Sequence, residues 1–237
     1  MPAEPTRLSK VVAALVPCSR REAEQYIAEG WVRVNGEVVR EPQARVADET
    51  IRIDAKAQLQ APTPATFLVN KPAGIGAEGA RTLLDASHRW PGDASGIRPI
   101  KSHTVRLMSL LELPPQAEGL TVFSQDARIV RKLREDASLI EQELVADVTG
   151  AIAADGLGKL CSGLVFEGRP LPPARVSWQS ERRLRFAIKG IALDVLPWMC
   201  AQVGLQLTAL RRIRIGAVPM SRLPAAQWRY LAPDERF

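Results

Sequence analysis

Cysteine and histidine are scarce in this chain. Cys18, Cys161 and Cys200 stand far apart, with no Cys-x-x-Cys pair and no histidine beside them. That spacing suggests neither a disulfide framework nor a zinc site, so no metal is expected. His88 and His103 have no serine or cysteine partner at a recognisable spacing, which argues against a hydrolase triad. No run approaches the roughly 18 uninterrupted apolar residues of a membrane span. Met1 to Lys10 also lacks the basic-then-apolar order of a secretory signal. A cytoplasmic protein without membrane contact is the expectation. Internal repeats and low-complexity tracts are likewise absent.

What the chain does have is an uneven distribution of charge. Residues 1–60 carry nine Lys/Arg against nine Asp/Glu, residues 61–180 thirteen against thirteen, and residues 181–237 ten against four, so the whole net charge of +6 sits in the last quarter. A local basic excess suits a polyanion, because Lys and Arg that neutralise phosphates release counterions. The competing reading is an ordinary solvated surface.

Along the chain, Arg7 to Leu15 places Leu8, Val11, Val12 and Leu15 at helical spacing, and Pro17 ends that helix. Ser19 with Glu22 forms a capping box for a second helix, with Ala23, Tyr26 and Ile27 on its apolar face and Gly30 as its stop. Trp31 to Val34 and Glu37 to Val39 flank Asn35-Gly36, a two-residue hairpin turn, and Thr50 to Ile53 adds a strand. Ala55 to Ala65 has two prolines and no periodicity, which makes it a linker. The expected domains are therefore residues 1–56 and 66–237, with the linker over 57–65. Beyond it, strands are predicted at Phe67 to Val69, Glu141 to Val148 and Arg183 to Ile188, and helices at Asp126 to Arg134 and Val195 to Val203. The fold class is mixed α+β.

The run SRREAEQYIAEGWVRVNGEVV, Ser19 to Val39, together with the preceding RLSKVVA helix, resembles the S4 domain, a small RNA-binding module. Ser19, Arg20 and Arg21 stand at a helix N-terminus, where free N–H groups and the helix dipole favour phosphate. The resemblance implies that Arg7, Lys10, Ser19, Arg20, Arg21, Arg33 and Asn35 face RNA. Without it, Ser19 is only a cap and the arginines are only solvated.

From Phe67 onward four stretches resemble the rRNA pseudouridine synthases of the RsuA/RluB/RluE/RluF group, most of all its RluF-type members. They are FLVNKPAGI from Phe67, AEGLTVFSQD from Ala117, IEQELVADVTG from Ile140 and the long run Val203 to Glu235. The resemblance implies a larger α+β domain with a mainly antiparallel sheet, acting as a monomer on structured ribosomal RNA without a cofactor. That chemistry needs a flipped base, an aromatic ring to stack on it and an aspartate held by an arginine.

Each of those groups is altered here. Counting back from Glu118-Gly119-Leu120 puts Pro114 at the aspartate and Glu112 at the arginine of the family's Gly-Arg-Leu-Asp loop. Starting from Arg98-Pro99-Ile100 puts Thr104 there, and aligning Val105-Arg106-Leu107 puts Met108 there. No register supplies the acid. Glu112, Glu118 and Asp126 are the nearby substitutes, but a misplacement of about 1 Å can cost ~100-fold. Leu144 replaces the stacking tyrosine, Gln142 the lysine before it, and KGIALDVLPWMC (Lys189 to Cys200) the arginine-rich helix start. Lys71, Arg211, Arg212 and Arg214 survive as structural or RNA-binding residues. The expectation is an RNA-binding protein with a degenerate centre, and the alternative is a synthase that uses a substitute acid.

Gly74, Gly76 and Gly79 also satisfy G-x-G-x-x-G, with Asp93 at nearly the distance of a ribose ligand. Asn70-Lys71-Pro72 separates strand from glycines and no repeated βαβ pattern follows, so a dinucleotide fold is rejected. Trp198 and Trp228 are expected as core or edge residues rather than as base platforms.

Overall fold

A computed structural model describes residues 4–16, 18–57 and 64–237, and these divide into two compact units. The first consists of residues 1–63 with 98–105, the second of 64–97 with 106–237. Pro17 and most of the expected linker, residues 58–63, lie outside the described residues.

In the first unit, β1 (Thr6–Arg7) leads into α1 (Leu8–Leu15), followed by α2 (Arg20–Ala28), β2 (Val32–Val34), β3 (Glu37–Val38), β4 (Arg45–Val46) and β5 (Ile51–Ile53). The capping box forms as predicted: Glu22 N–H donates to Ser19 Oγ, and Ser19 N–H donates to the Glu22 carboxylate. Leu8, Val12, Ala23, Ile27, Val32 and Val46 form one core, against which Val34, Ile51 and Ile53 pack. The alternation of β2 and β5 therefore turns Arg33 and Arg52 outward. No local signal indicates that residues 98–105 join this unit. Arg98 donates to Gly30 O at 2.9 Å and its guanidinium lies 4.5 Å over the Trp31 ring, a cation–π contact.

The second unit contains β6 (Thr66–Lys71), α3 (Ala77–Thr82), β7 (Met108–Leu110), β8 (Glu118–Ser124), α4 (Ala127–Glu135), β9 (Gln142–Gly150) and α5 (Gly156–Cys161). After them come β10 (Val165–Phe166), β11 (Arg169–Pro170), β12 (Arg175–Ser180), β13 (Arg183–Ile188), α6 (Leu196–Ala201), β14 (Leu205–Ile215), β15 (Val218–Pro219) and β16 (Trp228–Tyr230). Its sheet runs β12-β13-β9-β14-β8-β6-β16, with β15 on β14 and β7 on β8. The pairings are antiparallel except β14 with β8, which is parallel. The mixed α+β class and the mainly antiparallel sheet agree with the expectation. Helix α6 is shorter than predicted, because Pro197 fixes its first turn and Gly204, at φ +82°, follows its end.

Alternation assigns the two faces of the sheet. Phe67, Val69 and Phe123 join Trp228 and Tyr230 on one side, whereas Leu68, Leu120 and Val122 join Leu133 of α4 on the other. Directly paired residues share a face, so the row Leu144–Arg212–Gly119–Lys71 lies on the side of Phe67 and Val69. Among the described residues, no helix is long and apolar enough to cross a membrane.

Candidate functional site

The parallel step from β14 to β8 concentrates the unusual chemistry. Lys71 is fully buried, and its Nζ donates to four carbonyls: Ala117 at 2.5 Å, Ile75 at 2.7 Å, Pro72 at 3.1 Å and Pro115 at 3.2 Å. Arg212 is equally buried. Its Nε donates to Leu120 O at 2.8 Å, Nη1 to Gln142 Oε1 at 2.8 Å and Nη2 to Leu111 O at 2.5 Å. All of these acceptors are neutral. Burial pushes the Arg212 guanidinium down to about 9. Lys71 is lowered by burial and by the charge of Arg212, an effect Glu118 opposes.

Three of the six backbone carbonyls that these cations hold, those of Leu111, Pro115 and Ala117, belong to one loop, residues 111–117. Leu111 sits at φ +47°, a left-handed conformation that costs a non-glycine residue about 1–2 kcal/mol. Leu113 and Ala117 turn inward and pack in the cluster that contains Leu144, Leu196, Met199 and Cys200. Leu144 is completely buried there. One apolar cluster thus collects the loop around Pro114, Leu144 of β9 and residues of α6. Burial also pushes the Cys200 thiol up to about 11, so it is held as an unreactive apolar group.

The other two registers lead elsewhere. Met108 packs against the cluster on the opposite face, with Leu120 and Val122, and Thr104 groups with the first unit. Of the substitute acids, Glu112 is exposed, and Asp126 caps α4 while binding the Arg128 side chain at 3.0 Å. Glu118 is half-buried, 2.7 Å from Arg211.

Of the residues expected to be structural or RNA-binding, Lys71 and Arg212 take a structural part. Both point into the protein and are occupied by carbonyls. Arg211 is paired with Glu118, and Arg214 with Glu141 at 2.6 Å and Glu143 at 2.7 Å. The basic surplus of the last quarter is correspondingly reduced at the surface. Arg183 meets Asp147, Arg185 meets Glu143 and Arg229 meets Glu235, so register and turns bring acids to these arginines. The count along the sequence could not show this, since Asp147 and Glu143 lie 36 to 71 residues from the arginines they meet.

This ladder carries a pH dependence. Hydrogen bonding from Arg214, with the charge of Arg175 adding to it, lowers the Glu141 carboxyl below its ordinary value. A carboxylate lowered in the folded state contributes stability that is present above about pH 4.5 and lost as the pH falls through its folded value. The melting temperature is expected to stay level between about pH 5 and 8 and to fall progressively below about pH 4, as a thermal-unfolding series would record.

In the first unit, Arg7, Lys10, Ser19, Arg20, Arg21, Arg33 and Asn35 are all exposed. Ser19 is engaged in its capping box and Arg20 meets Glu24 at 3.2 Å. Asn35 adopts φ +51° and its Oδ1 accepts from Thr50 N–H at 2.9 Å, so it has a structural part in tying the hairpin turn to the start of β5. Gly74 and Gly76 lie in the turn into the short α3 and Gly79 within that helix, with Ile75 O taken by Lys71. His88 bonds the Asp85 carboxylate that caps a short 3-10 turn, and His103 is buried. Trp228 is in the core as expected, and half-buried Trp198 packs edge-on against Phe166 at 4.9 Å.

Comparison with known proteins bears on both units. The S4 domain family model matches residues 6–50. The chain is 26% identical over 235 residues to the dual-specificity RNA pseudouridine synthase RluF of Salmonella typhi, covering 97% of this chain and 77% of that one. It is 29% identical over 234 residues to a chloroplastic protein of Arabidopsis thaliana named for ribosomal large subunit pseudouridine synthesis, covering 94% of this chain and 56% of that one. A solved structure described as a pseudouridylate synthase shares the fold, with a TM-score of 0.60 at 19% identity over 95% of this chain and 96% of that one.

Proposed function

We propose, for a chain that carries an S4 domain and is homologous to RluF-type pseudouridine synthases across nearly its full length, a role as a ribosomal-RNA-binding protein whose isomerase centre has been lost. In this reading it acts in the cytoplasm as a monomer, in ribosome assembly or RNA protection. The supporting observation is the apolar cluster of Leu113, Ala117, Leu144 and Met199 around the loop that holds Pro114. A reaction that needs an ionised carboxylate against a flipped base finds a hydrocarbon interior there instead. Leu111 supports the register behind this reading, since its left-handed backbone suits the glycine that opens the relatives' Gly-Arg-Leu-Asp loop.

A second reading, an active synthase, has one observation in its favour: Glu118 pairs with Arg211 and acts electrostatically on Lys71. The two readings separate in one experiment. Purified protein incubated with unmodified ribosomal RNA is expected to bind it in a salt-sensitive way without forming pseudouridine. Conversion that disappears in Glu118→Gln would establish the second reading, and conversion that persists in that variant would rule out both the lost centre and Glu118 as its acid.

A further inference from the structure

The balanced charge of the first 60 residues conceals a segregation that only strand register reveals. β2 lies antiparallel to β5 with Arg33 directly opposite Arg52, and β1 lies antiparallel to β4 with Arg7 directly opposite Arg45. All four side chains are exposed and face away from the core formed by Val32, Ile51, Ile53 and Val46. Like charges directly opposite on paired strands are destabilising. The third member of the first row is Val38, opposite Arg33 on β3, so no carboxylate interrupts that row.

The acids of this unit are mostly engaged elsewhere. Glu22 binds the Ser19 N–H, Glu29 the Gln25 and Trp31 side chains, Glu49 the Ala47 N–H and Asp54 the Lys56 N–H. Asp54, the acid nearest Arg52 along its strand, is thus turned to the backbone. Arg33 donates to Gly36 O and Arg45 to Pro5 O, each through one guanidinium nitrogen. The remaining donors of each fork are open to a ligand, and two guanidinium forks side by side match the oxygens of a phosphodiester.

We infer that the cross-strand pairs Arg33–Arg52 and Arg7–Arg45 bind the phosphodiester backbone of RNA, which makes Arg45 and Arg52 part of the binding surface. The inference rests on the RNA-binding reading of the S4 domain and extends it to two residues that the sequence motif did not single out. An anion seated between the members of a pair converts mutual repulsion into attraction for a shared ligand. The free protein bears the repulsion, so removing one arginine moves stability and affinity in opposite directions.

The test uses the full chain, a fragment of ribosomal RNA, and the variants Arg45→Thr, Arg52→Thr, their double, and Arg128→Gln as a control of equal charge change on α4. Each threonine variant is expected to bind the RNA about tenfold more weakly at low salt. The double variant should also show a shallower dependence of log affinity on log salt, by about 0.7 to 0.9 for each phosphate left without its arginine. Both single variants should melt at or above the wild-type temperature, while the control keeps wild-type affinity to within about twofold. Affinity losses no larger than the control's overturn the inference and leave the RNA-binding reading intact. Wild-type protein that fails to bind RNA overturns both. Unchanged RNA binding with abolished capture of a polyglutamate peptide assigns the face to an acidic protein and overturns the phosphodiester assignment.

Discussion

Gly119→Ala is expected to lower the melting temperature of the larger unit by about 10 °C or more, on the scale of roughly 2–4 °C per kcal/mol for a unit of this size. The backbone at Gly119 has φ +108°, outside the range that L residues adopt comfortably. A Cβ there would stand 2.3 Å from the Arg212 carbonyl oxygen and 2.8 Å from its nitrogen. Both are backbone atoms, so no side chain can rotate out of the way. The clash falls in the parallel pairing of β8 with β14, which consists of Glu118 with Arg211 and Gly119 with Arg212. Relieving it therefore pulls apart the strands that join the two halves of the sheet. Gly158→Ala is the informative control. Nothing lies within 4 Å of its added Cβ and it sits inside α5, so a gain of about 0.5–1 kcal/mol is expected. Thermal unfolding followed by near-ultraviolet circular dichroism measures both, and equal melting temperatures for the two variants would refute the packing argument.

Lys71→Met is expected to cost about 3 kcal/mol, by leaving the carbonyls of Pro72, Ile75 and Ala117 without this donor at roughly 1 kcal/mol each, whereas Pro115 O keeps the Gly74 N–H. Methionine preserves most of the volume, so the loss isolates the hydrogen bonds from Nζ to Pro72, Ile75, Pro115 and Ala117. Removing a buried cation recovers some desolvation energy and relieves the repulsion with Arg212. The number of carbonyls left unpaired decides the sign. Because Pro115 and Ala117 belong to the loop around Pro114, faster amide hydrogen exchange is also expected at Ala117, whose N–H bonds Pro114 O across that loop. A variant that keeps wild-type stability yet binds RNA more weakly would show that the amine faces the ligand after all.

Some features were readable one residue at a time. The capping box at Ser19 and Glu22, the Asn35-Gly36 turn and the cap at Asp126 depend on groups within about four residues of one another, and all three form. Alternation identified β9 and β13 because each has a buried face and a polar one. The same test passed over β8, whose residues from Gly119 to Ser124 are all buried and show no period-two contrast. Comparison of motifs offered Pro114, Thr104 and Met108 for the position of the family's aspartate without a means of choosing between them. Only folding shows where each lies: Leu113 and Ala117 pack in the cluster of Leu144, Met108 packs on the opposite face and Thr104 groups with the first unit.

Charge was the least legible property. The ten-to-four surplus of residues 181–237 promised a basic surface, and the nine-to-nine balance of the first 60 promised a neutral one. Strand register alters both readings. It pairs Arg183, Arg185, Arg211 and Arg214 with acids from distant strands, and it sets Arg7 against Arg45 and Arg33 against Arg52 with no acid between. The order of residues was enough to specify the capping box, the hairpin turn and the absence of an aspartate from the loop before Glu118. Folding alone made Lys71 and Arg212 internal clamps and left particular arginines open to a ligand. The difference is one of range: a cap or a turn is settled by neighbours along the chain, whereas the field at a charge depends on every group that folding brings within a few ångströms of it.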